Sequence, residues 1–261
     1  MIELLKPIFR NELQPYGEAL TLVDRSRVGD RSVAQWFGEP ALLDDALSRQ
    51  SRHLRSDDIR PVVSLWTLSY FSVLLPPVIA AASLLDHGFP LDWNEMSLRL
   101  DATGAPVGFS IRRLGERFAQ SDSHRRYERL VWDHLDPVIE HLSRHRRVSP
   151  RVLWGNANRA FAGVFSQAVG LLGSDSHGAK TLMRDHDQLL SQPDWADGRR
   201  NPLYFPERRI SNSSDVASTT PLHKRCCLLY LIPDKAYCQM CPLAPQYRAA
   251  RATSKRTRDC S

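Results

Sequence analysis

The chain has 261 residues, 42% of them hydrophobic and 25% charged, with a formal net charge of +6. These values exclude a collagen-like, a low-complexity or a disulfide-dependent miniprotein class, and they predict a globular core of useful size. The N-terminal stretch MIELLKPIFRNELQPYG has no cationic head followed by an uninterrupted apolar run. We therefore expect no signal peptide and a reducing cytosolic environment, in which clustered cysteines bind metal or do redox work more often than they form disulfides.

Helical periodicity dominates the first half of the chain. Residues 33–47 predict a helix with a break near Pro40. Residues 62–85 form a 24-residue run without a charge, long enough to span a bilayer. The adjacent Pro76 and Pro77 predict a split into two shorter helices, and the serine content and the lack of flanking cations favour buried core helices over a membrane span.

The second half continues the helical pattern. Apolar stripes at residues 127–142 and 161–172 predict two more helices, the first kinked at Pro137 and the second ended by Gly173. Period-two runs are scarce, and only residues 104–115 suggest a short hairpin or ribbon. The predicted fold is therefore mainly α, a helical body followed by a small C-terminal Cys-rich module.

The excess positive charge lies in the last quarter of the chain. Residues 199–261 hold twelve Lys or Arg and four Asp or Glu, whereas the first 198 residues hold 23 and 25. Polar residues 211–221 read as a linker or exposed loop. We predict a body over 1–210 and, over 211–261, a linker, a cysteine module (222–243) and a basic tail that is more simply solvated than functional.

Four of the five cysteines lie within sixteen residues, CCLLYLIPDKAYCQMC. The pair Cys226 and Cys227 is adjacent, and Cys238 and Cys241 form a C-x-x-C. Adjacent side chains of an extended chain point to opposite faces, so both can serve one site only if the chain bends there. Cys₄ ligation suits zinc or a two-iron, two-sulfur cluster, and the spacing favours the cluster only modestly.

Other candidate residues carry weaker signals. His223 is a candidate fifth ligand, although a solvent-facing histidine is the simpler interpretation, and Cys260 reads as a bystander. Asn156 and Asn158 suit either a pocket lining or polar caps at a helix start.

The chain resembles the FhuF family of ferric-siderophore reductases. The resemblance rests on the cysteine pattern and on three segments in corresponding order, PVVSLWTLSYFSVLLPP (61–77), VLWGNANRAF (152–161) and NPLYFP (201–206). It implies that a 2Fe-2S cluster is bound by Cys226, Cys227, Cys238 and Cys241. One departure is the continuation of the chain for twenty residues beyond Cys241.

The resemblance implies a ferric-siderophore reductase, an oxidoreductase acting on metal ions. It would reduce Fe(III) held by a siderophore, of hydroxamate type, through outer-sphere electron transfer from the cluster, and release iron in the cytoplasm. No flavin or nicotinamide motif is present, so we expect electrons from a ferredoxin or a flavoprotein. Peripheral association with an inner-membrane siderophore importer is left open.

Two residues are candidates for docking. Lys224 and Arg225 directly precede the vicinal cysteines, where they could offset the charge of the cluster or attract an anionic chelate or an acidic donor, and solvated bystanders are the alternative.

Two other functions compete with the reductase. One is a zinc-stapled nucleic-acid-binding protein, and the other is a non-redox siderophore-binding or biosynthetic helper; on the reductase interpretation no nucleic acid is bound.

Overall fold

The computed structural model describes residues 1–23, 31–118, 122–206, 209–212 and 215–247. Its helices are α1 (Gln14–Glu18), α2 (Val33–Gly38), α3 (Pro40–Leu54), α4 (Ile59–Leu85), α5 (Ser123–Glu128), α6 (Asp136–Arg146), α7 (Pro150–Leu172) and α8 (His177–Leu190). Its strands are β1 (Leu20–Leu22), β2 (Arg31–Ser32), β3 (His87–Gly88), β4 (Met96–Leu100), β5 (Pro106–Ile111), β6 (Glu116–Arg117), β7 (Arg209–Asn212) and β8 (Asp215–Pro221). The mainly helical fold predicted from the sequence is confirmed.

A small sheet covers one side of the helical core. Its strand order is β1-β5-β4-β2, with β1 parallel to β5 and the other neighbours antiparallel. The hairpin or ribbon expected within residues 104–115 is corrected: that range holds only one long strand, β5, which pairs with the earlier strand β4. The turn of the β4–β5 hairpin passes Gly104, whose φ of +86° and close approach to the backbone of Ala46 leave no room for a side chain. The Trp66 indole of α4 donates to the Gly104 carbonyl at 2.9 Å and fixes the hairpin against the helices.

Helix α4 lies at the centre of the molecule and contacts α3, α7, α8 and strand β5. The predicted break at Pro76-Pro77 is wrong, because the helix runs without interruption from Ile59 to Leu85. A proline inside a helix costs about 3 kcal/mol, while each fully buried large apolar side chain contributes about 1.5–3 kcal/mol. The buried side chains around the prolines, among them Phe71, Leu74 and Leu75, therefore outweigh the lost hydrogen bonds.

The burial of α4 bears on whether this helix spans a membrane. Among the described residues, α4 is the one helix long and apolar enough to cross a bilayer, and 67% of its most apolar window is buried inside the protein. That burial agrees with the core location predicted from the sequence.

Other predicted boundaries can be compared with the elements. The break near Pro40 separates α2 from α3, and α7 ends at Gly173, whose φ is +75°. The kink expected at Pro137 is replaced by a π-helical segment, Arg129–Leu135, directly before α6. The linker or exposed loop expected at 211–221 is corrected to part of an antiparallel hairpin, because β7 and β8 pair there. The domain boundary between 210 and 211 stays a prediction.

Buried polar groups join the core helices. Asp185 of α8 accepts hydrogen bonds from Ser83 at 2.6 Å and Ser123 at 2.5 Å, and it pairs with the Arg126 guanidinium at 2.9 Å. In the π-helical segment, His134 Nδ1 donates to the Leu91 carbonyl at 2.8 Å, so Nε2 accepts from the Tyr70 hydroxyl at 2.7 Å. This arrangement requires a neutral imidazole, and burial lowers the pKa of His134 to about 4.

We predict that His134 makes the fold acid-sensitive. Its pKa is depressed in the folded state, so its contribution is intact above about pH 6.5 and is lost as the pH falls toward 4. The expected loss is on the order of 3 kcal/mol of unfolding free energy over that interval. Urea denaturation at pH 7.5 and pH 4.5 should show a smaller pH effect in His134→Gln than in the wild type. Equal pH effects in the two proteins would refute this assignment.

Candidate metal centre

The four clustered cysteines lie in residues 222–247, which we call the cysteine loop. The side chains of Cys226, Cys227 and Cys241 are buried, Cys238 is half-buried, and all four are free thiols. The sulfurs of Cys226 and Cys241 are 3.6 Å apart, and Cys238 interacts with both Cys227 and Cys241. Within the described residues, no group of three or more His, Cys, Asp or Glu side chains is already arranged around a single point that could hold one metal ion.

The chain bends directly after the vicinal pair. Leu228 has a φ of +64°, a left-handed conformation that a leucine rarely adopts, and its N–H points to the Cys226 sulfur at 3.3 Å. A 3₁₀ helix, Leu229–Leu231, follows. The bend lies one residue beyond the vicinal pair and turns the following chain back toward Cys226.

Tight turns bring the C-x-x-C pair back to the vicinal pair. The Cys241 N–H donates to the Cys238 carbonyl at 2.9 Å, and the His223 N–H donates to the Met240 carbonyl at 2.9 Å. The rings of Tyr230 and Tyr237 stack with centroids 4.6 Å apart. These contacts close the loop into a compact unit around the thiols.

Helices α4 and α7 hold the cysteine loop through a buried chain of hydrogen bonds. The Ser64 hydroxyl donates to the Cys227 carbonyl at 2.8 Å. The Asn156 amide donates to the Ser64 carbonyl at 2.8 Å and lies 2.9 Å from its hydroxyl oxygen. Asn156 and Asn158 are therefore interior residues of α7, and the interpretation as helix-start caps is wrong.

A second contact holds the loop at Arg225. The Arg159 guanidinium donates to the Arg225 carbonyl at 3.3 Å, and the Arg225 stem packs against Gly155, where a Cβ atom would collide with it. The Arg225 guanidinium lies 5.3 Å from the centroid of the Phe205 ring.

The segment that carries Phe205 is itself tied to α7. Asn158 donates to the Leu203 carbonyl at 2.8 Å, and Leu203 donates to the Asn201 side chain at 3.0 Å. Residues from all three segments that resemble the FhuF family thus form the support beneath the cysteine loop.

Burial and mutual repulsion disfavour free thiolates at this site. Burial, with a contribution from the neighbouring thiols, raises the pKa of Cys226 to about 12 and that of Cys238 to about 11. The Arg159 charge acts in the opposite direction on Cys238. A bound cation would offset both penalties.

The basic residues near the thiols differ in their surroundings. Burial, and then the Arg159 charge, lowers the pKa of His223 to about 4, so the solvent-facing histidine expected from the sequence is corrected to a half-buried one. Lys224 contributes, after burial, to the lowered pKa of His186 on α8. Cys260 and the basic tail from 248 onward lie outside the described residues.

Sequence reasoning missed Ser64 and Arg159. Both lie inside helical apolar patterns, where a single polar residue has no distinctive spacing. The available signal in the sequence was that each of these polar residues interrupts an otherwise apolar helical stripe.

We predict that Ser64→Ala loosens the cysteine loop. The substitution removes the donor to the buried Cys227 carbonyl and should cost about 1–3 kcal/mol of unfolding free energy. In metal-free protein, the thiols should react with a disulfide reagent several times faster than in the wild type. Ser72→Ala is the matched control, because Ser72 lies on the same helix but is exposed and bonds only within it. Equal labelling rates in Ser64→Ala and Ser72→Ala would show that the bond does not hold the loop.

Comparison with known proteins identifies the family of the chain. The family described as "Ferric iron reductase FhuF-like transporter" matches residues 64–215. The "Ferric siderophore reductase" of Escherichia coli (strain K12) is 22% identical over 233 residues, which cover 87% of this chain and 84% of that protein. The family match begins at Ser64 and includes Asn156, Arg159 and residues 201–206, but it ends before the cysteines. More than half of the chain matches, and on that ground the protein belongs to the FhuF-like ferric iron reductase family.

Proposed function

We propose that this protein reduces Fe(III) bound in a siderophore and that Cys226, Cys227, Cys238 and Cys241 hold a 2Fe-2S cluster. The observation that carries the proposal is that one loop, held on helices that match the ferric reductase family, contains four free thiols, two of them with sulfurs 3.6 Å apart. Bound at these thiolates, the cluster would supply single electrons.

The cysteine loop is suited to pass electrons across one face. Three thiols are buried, which keeps water away from them, whereas Cys238 is half-buried beside the exposed Gln239 and Met240. The exposed side of the loop at Cys238 is therefore the shortest path between the thiols and a molecule bound outside.

The reaction needs an electron donor and a chelate, but no general acid or base. Siderophores hold Fe(III) through hard oxygen donors, and the same donors hold the larger, less charged Fe(II) more weakly. One electron taken from a ferredoxin or flavoprotein and passed to the chelate therefore converts Fe(III) to Fe(II) and promotes release. A hydroxamate-type chelate, a cytoplasmic location and peripheral contact with a siderophore importer belong to this proposal.

Two alternatives lead to different results. A zinc-stapled nucleic-acid-binding protein would use the same thiols but is not supported by the family match, and a non-redox siderophore-binding or biosynthetic helper would not change the oxidation state of iron. Metal content and colour separate these functions.

We predict that anaerobically purified protein is red-brown, contains iron and sulfide, and bleaches with dithionite. Cys→Ser at each of the four positions should abolish or alter the visible spectrum, because each thiolate is a ligand, whereas Cys260→Ser should leave it unchanged. One zinc and no iron in the wild-type protein would refute the cluster.

We also predict that Lys224 tunes the cluster and the approach of an acidic donor. Reduction adds a negative charge, so Lys224→Gln should lower the reduction potential by tens of millivolts, the order of magnitude expected for one nearby charge. Reduction by an acidic ferredoxin should become slower and less salt-dependent. Redox titration monitored by EPR and stopped-flow mixing at two ionic strengths measure both effects.

The single substitution is preferred to a double one at Lys224 and Arg225, because Arg225 also packs against Gly155 and its loss would disturb the loop. Lys6→Gln, which removes the same charge from the N-terminal segment, is the control. Identical potentials and salt dependence in the two variants would make Lys224 an ordinary surface charge.

A further inference from the structure

A mostly apolar groove of about 470 Å³ lies between α4, α7 and the N-terminal residues 8–16. We call it the α4/α7 groove. Its walls include Phe9, Leu68, Pro76, Gly163 and Val164, and Arg159 is the one charged side chain among its described lining residues. The apolar stripe of α7 is buried in the N-terminal half of the helix. At the C-terminal end of the helix, Leu171 and Leu172 are 61% and 43% exposed.

Arg159 connects this groove to the cysteine loop. Its guanidinium donates to the Arg225 carbonyl at 3.3 Å, directly before the vicinal cysteine pair. Its Nε is buried and has no hydrogen-bond partner among the described residues. The Nε atom is itself shielded, so a ligand in the groove would contact the partly exposed remainder of the Arg159 side chain.

A second cavity, of about 420 Å³, is less suitable for electron transfer. It is lined by Arg113, Arg117 and Arg129 and reaches α4 only at Val78 and Ala82. Fourteen residues of helix separate Val78 from Ser64, about 20 Å along the axis. The α4/α7 groove instead begins at Leu68, about one helical turn from Ser64, and electron-transfer rates fall steeply with distance.

Two residues of the groove wall, Gly163 and Pro76, leave open space and an unbonded carbonyl on the groove side of the helices. A Cβ atom at Gly163 would meet nothing within 4 Å, so its absence serves no packing need inside the fold. Glycine within a helix costs about 1 kcal/mol relative to alanine. Pro76 has no N–H, so the carbonyl of Ser72, another lining residue, receives no helical hydrogen bond.

We propose that the α4/α7 groove docks the organic part of the ferric siderophore, with the oxygen donors of the chelate at Arg159, which bonds to the cysteine loop at Arg225. The assignment rests on the proposed reductase function. The apolar walls match hydrocarbon spacers, and one cation with few polar partners matches a chelate of low net charge. The C-terminal tail of this chain is a poor occupant, because its many Lys and Arg residues would be repelled by Arg159.

Gly163→Val places a side chain in the α4/α7 groove without a clash in the fold. Gly170→Val is the matched control. Gly170 lies two turns further along α7, has equally open surroundings and does not line the groove. The probe is the gallium(III) complex of N-acetylated desferrioxamine B, which is uncharged and redox-inert and therefore reports binding alone. By calorimetry on the cluster-loaded protein, we expect at least tenfold weaker binding for Gly163→Val and a change below twofold for Gly170→Val, with similar melting temperatures.

The outcomes separate the two proposals. If Gly163→Val binds the gallium complex like the wild type while the wild type still reduces the iron complex, the groove assignment is wrong and the reductase function stands. If the wild type neither binds the gallium complex nor reduces the iron complex, the reductase function fails for this chelate class and the groove assignment fails with it. A Gly163→Val effect confined to oligomeric state or to binding of phosphatidylglycerol vesicles would assign the groove to a second copy or to a membrane, against the proposal.

Discussion

The hydrogen bond from the Ser64 hydroxyl to the Cys227 carbonyl is buried, and the arrangement of the proposed centre depends on it. Asn156 completes the link by donating to the Ser64 carbonyl, so one short chain joins α4, α7 and the cysteine loop. A buried carbonyl that loses its donor pays a desolvation penalty of about 1–3 kcal/mol. The cysteine loop is therefore fixed in position on α4 and α7, and this attachment sets the position of the thiols relative to the α4/α7 groove.

Helix α4 makes this arrangement possible because it crosses the whole core without a break. Its first turns carry Ser64, its middle lines the α4/α7 groove with Leu68 and Pro76, and its last turns carry Ser83, which bonds to Asp185. One element thus connects the thiol support, the proposed docking groove and the buried ion pair. The prolines leave carbonyls of α4 without helical hydrogen-bond partners. The tertiary packing around α4 keeps the helix continuous at those positions.

The sequence predicted most helices because their apolar periodicity is strong, and Pro40 and Gly173 marked ends that the structure confirms. It failed at Pro76-Pro77, where local chain preference opposes tertiary burial and burial prevails. It failed at 211–221, where polar composition conceals a pair of short strands. The cysteine cluster was visible from spacing alone, whereas Arg159 and Ser64 act through contacts between helices distant in sequence, which no local pattern contains.

The most direct test of the reductase function is a single-turnover experiment under anaerobic conditions. Dithionite-reduced protein, freed of excess reductant, is mixed with ferrioxamine B in the presence of a ferrous-specific chelator. We expect reoxidation of the cluster together with one Fe(II) captured for each electron that the protein releases, and no Fe(II) from protein carrying Cys238→Ser. A cluster that stays reduced, with no ferrous iron formed, would contradict it.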